Sequence, residues 1–374
     1  MMHVVVIPDS FKGSLSAREV AQVMYGVLQS IFPKATCTLL PFSDGGEGAL
    51  DVLKDSISGQ IINCQTVNAI GKKISAPYFL FENGNSAWIE LSQSSGLTQL
   101  HVNERDPLVT STLGTGLQIK DALNKGCENI YLGVGGSCTH DMGAGIFTAL
   151  GGRLLNHNEQ EVQPCGGNLT SIESLDFSQL SPLAKQANWI VACDVTNPLV
   201  GPKGAAFTYA IQKGADDAAV QKLEDGSMHL GNLLINELNC DVFPLVGGGA
   251  AGGVSAGLFA LFGSKLENGF DILSKITNLE IAIQKADLVL TGEGCFDQQS
   301  MHGKLPYRVA KIAQKHKVIT YIVAGQAKEK HLAEFSSLHI FQTKNDNMST
   351  DEAMHRAAEL LETKLVEIFN NLKI

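Results

Sequence analysis

Apolar and polar positions alternate along this chain in two rhythms. The strand predicted over 3–7 carries the continuous apolar run of residues 4–7, the pattern of a strand buried on both faces. From Ser16 to about residue 32, Val20, Val23, Met24, Val27, Leu28 and Ile31 recur at helical spacing, and a serine suits the start of such a helix. A second strand is predicted over 37–41. Strand, helix and strand in this order predict a parallel sheet, whose ligands gather at the carboxyl ends of its strands. From about residue 60 the rhythm changes. Strands over 61–67, 74–81 and 87–91 follow one another, with turns at Gly71 and Asn83-Gly84, which predicts antiparallel or mixed sheet. A helix over 110–126 and a strand over 129–132 come next. Residues 151–182 are polar and glycine-rich and read as a strand, turns and a surface loop. A strand over 189–193, a long helix over 215–238 and a helix opened by the glycines of 247–253 complete this part. Parallel alternation returns at Ala286, with strands over 287–291, 318–323 and 338–341. A turn is predicted at 292–294, and helices over 304–315 and 350–372. The expected architecture is an α/β fold in which residues 1–67 and 285–374 make one parallel domain. A second α/β domain of mixed sheet, residues 68–284, is inserted into it. The cleft between the two is expected to collect the glycine loops.

Composition narrows the function. With 374 residues and 44% apolar content the chain can build two cores. Its 28 basic and 38 acidic residues leave a formal charge of −10, and no basic block stands out, so nucleic acid is not an expected partner. Eight cysteines are scattered without metal-like spacing and read as reduced thiols of a cytoplasmic protein. The first residues lack a charged segment ahead of a long apolar run, so no signal peptide is expected. Residues 242–264 carry no charge over a span that would cross a bilayer, but seven glycines interrupt them, and no membrane segment is expected.

The chemistry lies on loops that follow strands. Residues 132–150 run from an apolar strand through Gly133, Gly135 and Gly136 to Ser137, Thr139, His140 and Asp141, then into a helix carrying Gly143 and Gly145. Glycines admit close backbone approach, and a helix N-terminus offers free N–H donors, so this loop suits a phosphate or carboxylate. A tight turn whose Ser137 and Asp141 cap the helix fits the same residues. The loop Asp9-Ser10-Phe11-Lys12-Gly13-Ser14 would hold an anion through Lys12 and its backbone. Ser43-Asp44-Gly45-Gly46-Glu47-Gly48 has two carboxylates that would bind Mg²⁺ or cap a helix. Asp194 ends an apolar strand just before Asn197-Pro198, a place for a general base or for an Asx-turn. Glu293 and Asp297, beside Gly292 and Gly294, are further acids for a metal. Lys304 follows Gly303 but is no Walker lysine, because Leu305 stands where Ser or Thr is required. Ser137, His140 and Asp141 are too close in sequence to make a hydrolytic triad. Gly247-Gly248-Gly249-Ala250-Ala251-Gly252 satisfies a dinucleotide-binding glycine pattern, with Asp271 at a suitable distance but no second strand before it. A dehydrogenase acting with NAD on a small hydroxy acid, and a non-catalytic anion-binding protein, are therefore the alternatives to a phosphotransferase.

Taken together the loops resemble the bacterial two-domain glycerate kinase family. The likeness is carried by Pro8-Asp9-Ser10-Phe11-Lys12-Gly13-Ser14, Ser43-Asp44-Gly45-Gly46-Glu47-Gly48, Gly135-Gly136-Ser137 and Cys193-Asp194-Val195-Thr196-Asn197-Pro198. It continues in Gln212-Lys213-Gly214-Ala215, Gly249-Ala250-Ala251-Gly252-Gly253 and Leu290-Thr291-Gly292-Glu293-Gly294. The resemblance implies a Rossmann-like parallel domain interrupted by a second α/β domain. It also implies ATP- and Mg²⁺-dependent phosphorylation of D-glycerate, most often at the 2-hydroxyl, with the 3-hydroxyl as the other acceptor. Lys12 and Asp194 are expected to be catalytic. Asp9, Ser10, Gly13, Ser14, Ser43, Gly45, Gly46, Gly135, Gly136, Ser137, Thr139, Asp141, Gly249, Gly252, Gly292, Gly294 and Lys304 are expected to hold substrate or phosphate. Asp44, Glu47, Glu293 and Asp297 are the expected metal residues. Glycerate is the expected partner, and a homodimer is the assembly considered. Two positions depart from the family pattern: Cys295 stands where an arginine is usual, and His140-Asp141-Met142 where Asn-Asp-Gly is usual.

Overall fold

The computed structural model describes residues 1–42, 48–329 and 331–371. Its contacts divide the chain into two compact units, Met1–Asp44 with Asp51–Ser56 and Leu273–Ile374, and Gly45–Leu50 with Ile57–Ile272. The strand Gly59–Val67 and the residues 273–284 thus fall on the other side of the boundary from the one the rhythm change suggests. Strand Gly59–Val67 belongs with the mixed sheet because it pairs antiparallel with Lys73–Phe81.

In the first unit, five described strands form one parallel sheet in the order Leu338–Gln342, Ile319–Ala327, Leu288–Phe296, His3–Pro8, Thr36–Leu39. Its central strands are apolar on both faces because both faces are covered. Val4, Val6 and Leu290 pack with Val20, Met24 and Leu28 of helix Ala17–Ile31 and with Leu361 and Phe369 of helix Ala357–Asn370. Ile322 and Ala324 pack with Phe296 and Ala310. The serine predicted to start the first helix does so through a capping box: the Ser16 hydroxyl accepts from Glu19 N–H while the Glu19 carboxylate accepts from Ser16 N–H at 2.8 Å.

The turn predicted at 292–294 is absent. The strand runs straight through it, with Gly292, Glu293 and Cys295 paired to Val323, Ala324 and Gln326. Glycine serves here because a β-carbon at Gly292 would lie 2.1 Å from the Val323 carbonyl oxygen. The terminal helix is two, Thr350–His355 and Ala357–Asn370, with Arg356 between them off helical geometry.

In the second unit, the described sheet runs Lys265–Glu267, Asn188–Ala192, Asn129–Gly133, Ser86–Glu90, Lys73–Phe81, Gly59–Val67. The first four strands pair in parallel, and Lys73–Phe81 pairs antiparallel with both Ser86–Glu90 and Gly59–Val67. The helix predicted from 110 begins at Leu113, with Thr112 as its N-cap residue. The apolar stretch 242–246 is likewise a turn, and the glycine run opens helix Ala250–Phe262. Among the described residues no helix is long and apolar enough to cross a membrane. Trp189 stacks on Phe262 at 4.5 Å between ring centroids, and Phe147 meets Phe177 edge-on at 5.1 Å.

Helix Ala250–Phe262 approaches residue 142 so closely that a β-carbon on Gly257 would sit 1.7 Å from the Met142 carbonyl oxygen. Backbone on both sides cannot yield as a flexible side chain would. Gly257→Ala is expected to lower the unfolding free energy by about 1–3 kcal/mol, measured by urea denaturation; an unchanged midpoint would show that the helix can shift at no cost.

Candidate active site

In the parallel-sheet unit, the sequence-predicted residues Asp9, Ser10, Lys12, Ser14, Glu293, Gly294 and Lys304 line one cavity of about 310 Å³. The sheet accounts for this. Strands His3–Pro8 and Leu288–Phe296 are parallel neighbours, so their carboxyl ends lie side by side, and Asp9 N–H donates to the Gly292 carbonyl at 2.9 Å. The loop after the first strand is closed by Phe11 N–H to Leu15 O at 2.8 Å and Leu15 N–H to Phe11 O at 3.0 Å. Gly13 turns this loop with φ +82°, a conformation that favours glycine. Lys12 is exposed on it, and no described acidic side chain forms an ion pair with it. The Ser14 hydroxyl donates to Phe11 O at 2.9 Å, and the Asp9 carboxylate accepts from Ser10 N–H at 2.6 Å.

Facing these groups is a buried carboxylate. Glu293 is 5% exposed; its Oε2 lies 3.4 Å from the Lys304 ammonium. Its Oε1 is buried with no hydrogen-bond partner. Burial pushes the Glu293 carboxyl above its ordinary range, against the pull of the Ser300 hydroxyl and of Lys304, and the charge of Asp9 adds to the rise. Lys304 also heads helix Leu305–Lys315, whose first turn presents N–H groups without intrahelical partners. Sequence reading missed Gln326, Thr343 and Lys344, which line the same cavity from the ends of the next parallel strands. The strand pattern held the signal, because every parallel strand delivers its following residues to this edge.

Three expected residues take other places. Gly292 is inside the sheet, and Gly13 shapes the loop without lining the cavity. Asp297 caps a turn: its Oδ1 accepts from Gln299 N–H at 3.0 Å and Ser300 N–H at 3.3 Å, and its Oδ2 is 3.8 Å from Lys328. Ser43, Asp44, Gly45, Gly46 and Glu47 lie outside the described residues. Among the described residues no three His, Cys, Asp or Glu side chains converge as metal ligands.

In the mixed-sheet unit the loop after strand Asn129–Gly133 is stitched into the protein. Thr139, His140 and Asp141 have no exposed surface. The Asp141 carboxylate accepts from Thr112 N–H at 2.7 Å, Thr112 hydroxyl at 2.9 Å, Gly143 N–H at 3.1 Å and Gly145 N–H at 3.2 Å. The Asp141 carboxylate is thus a structural tie in this fold, and the capping reading of the aspartate is the one observed; the Thr139 hydroxyl is buried without a hydrogen-bond partner. His140 Nε2 pairs with the Ser227 hydroxyl at 2.9 Å, and burial drives the imidazole down to about 3, so it stays neutral. Gly135 and Gly136 are half-buried, and Ser137 is held from beneath by a residue that sequence reading quoted without giving it a role. Lys213, 1% exposed, donates to the Ser137 hydroxyl at 3.0 Å and to the Thr139 carbonyl at 2.7 Å. Burial lowers its ammonium to about 8, opposed by the charges of Cys138 and Asp141. No periodicity marks a lysine as buried.

The glycines of the later run serve packing. A β-carbon on Gly249 would lie 2.3 Å from Pro198 O, and one on Gly252 2.4 Å from Thr139 O. With a turn before that run and Asp271 in the first turn of helix Gly269–Ile276, the dinucleotide reading loses its strand–loop–helix setting. Asp194 is exposed two residues past strand Asn188–Ala192. Its Oδ1 accepts from Gly269 N–H at 2.9 Å and from the Asn268 side chain. The following chain is turned by Asn197, whose amide donates to Lys203 O at 2.8 Å and accepts from the Tyr209 hydroxyl at 2.7 Å.

Comparison with known proteins agrees with this picture. The model of the glycerate kinase family matches residues 4–373. A glycerate kinase of Bacillus cereus is 38% identical over 367 residues, 96% of this chain and 95% of that one. A glycerate 2-kinase of Escherichia coli K12 is 41% identical over 324 residues, 87% of this chain and 85% of that one. A crystal structure described as a glycerate kinase 2 from Salmonella typhimurium LT2 superposes with a TM-score of 0.88 at 36% identity, covering 100% of this chain and 98% of that one.

The Lys213 ammonium titrates near 8 in the folded protein against an ordinary 10.5. Between these values the unfolded chain binds more protons than the folded one, so on this group's account stability rises with pH. Lys213→Met removes that contribution. The wild-type-minus-variant unfolding free energy is expected to grow by about 2 kcal/mol from about pH 8 to about pH 10, read from urea titrations at each pH. A difference flat across that range would refute the lowering of the Lys213 ammonium by burial.

Proposed function

We infer the reaction from the fact that the chain belongs to the glycerate kinase family, and is an enzyme that phosphorylates glycerate: it transfers the γ-phosphoryl group of ATP to the 2-hydroxyl of D-glycerate. The products are 2-phosphoglycerate and ADP. The observation that carries this reading is the cavity of the parallel-sheet unit, where Lys12 and Lys304 stand opposite the buried carboxylate of Glu293 and beside Asp9. Such a mixture suits a polyphosphate bound with a cation, since phosphoryl transfer depends mainly on positioning and charge neutralisation. Mg²⁺ is held by one or two carboxylates together with phosphate oxygens. The orphaned Oε1 of Glu293, next to the charge of Asp9, fits that demand. When bound, the ion neutralises phosphate charge. Eight free thiols agree with a reducing, cytoplasmic setting.

The chain's own residues divide the remaining work. Lys12 offers a positive charge from an exposed, backbone-closed loop, to meet a phosphate oxygen or the glycerate carboxylate. Asp194 takes the proton of the 2-hydroxyl as its oxygen bonds to phosphorus and the bond to the bridging oxygen of ADP breaks. The donors at Asn268 and Gly269 hold the carboxylate in one orientation for this.

The reaction itself is tested by coupled ADP release over a panel of small hydroxy acids, with the product's phosphate position read by phosphorus NMR. D-glycerate is expected to give the 2-phosphate, and a 3-phosphate product would overturn the acceptor assignment. Asp194→Asn should lower kcat by roughly 10²–10⁴ with KM for ATP little changed; loss of ATP binding with high residual kcat would make Asp194 a binding residue instead. Lys12→Ala should lower kcat/KM by about a hundredfold, and wild-type kinetics in that variant would remove Lys12 from the mechanism.

A further inference from the structure

The cavity of the parallel-sheet unit has a second half that the catalytic reading does not use. Its wall is apolar, made by Phe11 and by Ala353, Met354 and Ala357 of the two terminal helices. Its volume of about 310 Å³ lies in the range of pockets that enclose whole drug-sized ligands, about 300–1,000 Å³. A three-carbon hydroxy acid would leave most of it filled with water against apolar side chains. The charged and apolar halves come from different elements. Glu293 and Lys304 lie at the end of a strand and the start of a helix, whereas the apolar residues other than Phe11 come from the chain's last helices. The two halves touch, since the methyl carbon of Met354 lies only 2.5 Å from where a β-carbon on Gly13 would be, in the loop that carries Lys12. Met354 is itself 37% exposed, a large apolar side chain lining a cavity without being covered by protein.

We propose that this wall of Phe11, Ala353, Met354 and Ala357 takes the base of the phosphoryl-donating nucleotide, with the phosphates directed to Lys12 and Lys304. The proposal rests on ATP being the donor, as inferred above. A flat aromatic base buries apolar surface on both faces, and a thioether is a favourable neighbour for such a ring. Glycerate, which has no apolar face of that size, is not the occupant of this wall.

Binding of ADP and of inorganic tripolyphosphate, measured by calorimetry on the full-length chain without glycerate, separates base from phosphates. Ala353→Trp fills the wall and is expected to weaken ADP by at least about tenfold while tripolyphosphate binds as in the wild type. Unchanged ADP affinity in the folded variant overturns the proposal. A second measurement needs no variant: 8-azido-ADP is photolysed on the wild-type protein and the labelled peptide mapped by mass spectrometry. Label at Phe11 or within residues 350–357 supports the proposal, and label confined to other segments overturns it even if Ala353→Trp does not fold. Label at 350–357 on an enzyme that forms no phosphoglycerate from ATP supports this base site and overturns the catalytic reading. Glycerate phosphorylation by ATP with label elsewhere does the reverse.

Discussion

The pairing of the first strand with one nearly three hundred residues later is the constraint on which the parallel-sheet unit depends. Val4 lies against Leu288 and Ile7 against Thr291. The ladder is locked at its start by Asp287, whose carboxylate and N–H both bond His3, each at 2.8 Å, and further along by the Thr291 hydroxyl on Ile7 O at 2.6 Å. Closing so long a loop costs conformational entropy that grows only slowly with length, and the buried apolar faces of both strands offset it. Because the strands are parallel, their carboxyl ends coincide. Asp9 and Lys12 thereby reach the same cavity as Glu293 and Lys304, although they are far apart in sequence.

The mixed-sheet unit relies on a different device. It buries an aspartate and a lysine and surrounds each with hydrogen bonds from backbone and hydroxyl groups. Unpaired, such charges would be strongly unfavourable in the interior. Here Asp141 ties the turn before helix Leu113–Asn124 to the N-terminal end of helix Ala144–Ala149, while Lys213 holds Ser137 and Thr139 in place. The two departures from the family pattern fall differently on these arrangements. His140 and Met142 are wholly buried packing residues flanking Asp141, so the aspartate keeps its ties. Cys295 lines the cavity, and a neutral thiol there leaves the positive charge to the lysines.

The same kind of feature, a glycine-containing loop after a strand, serves two ends in this chain. After His3–Pro8 it leaves an ammonium exposed. After Asn129–Gly133 it becomes part of the core.

Much of this was legible in the sequence by itself. Continuous apolar runs marked the strands of the parallel sheet, helical spacing after Ser16 marked the first helix, and the change of rhythm near residue 60 marked a second unit. Local chemistry suffices for these, since periodicity and capping act over a few residues. Loops at strand ends were legible as places for chemistry for the same reason. What each loop residue does was decided by the tertiary structure. Nothing local distinguishes the exposed Lys12 from the buried Lys213, or Asp194 from Asp141. Their difference lies in which distant N–H groups and side chains surround them. Gly292 reads as a turn and is a strand residue, because the carbonyl of Val323 on a neighbouring strand passes too close for any β-carbon. Burial, pairing and close approach are relations between parts of the chain far apart in sequence, and they exist only once the sheets have formed.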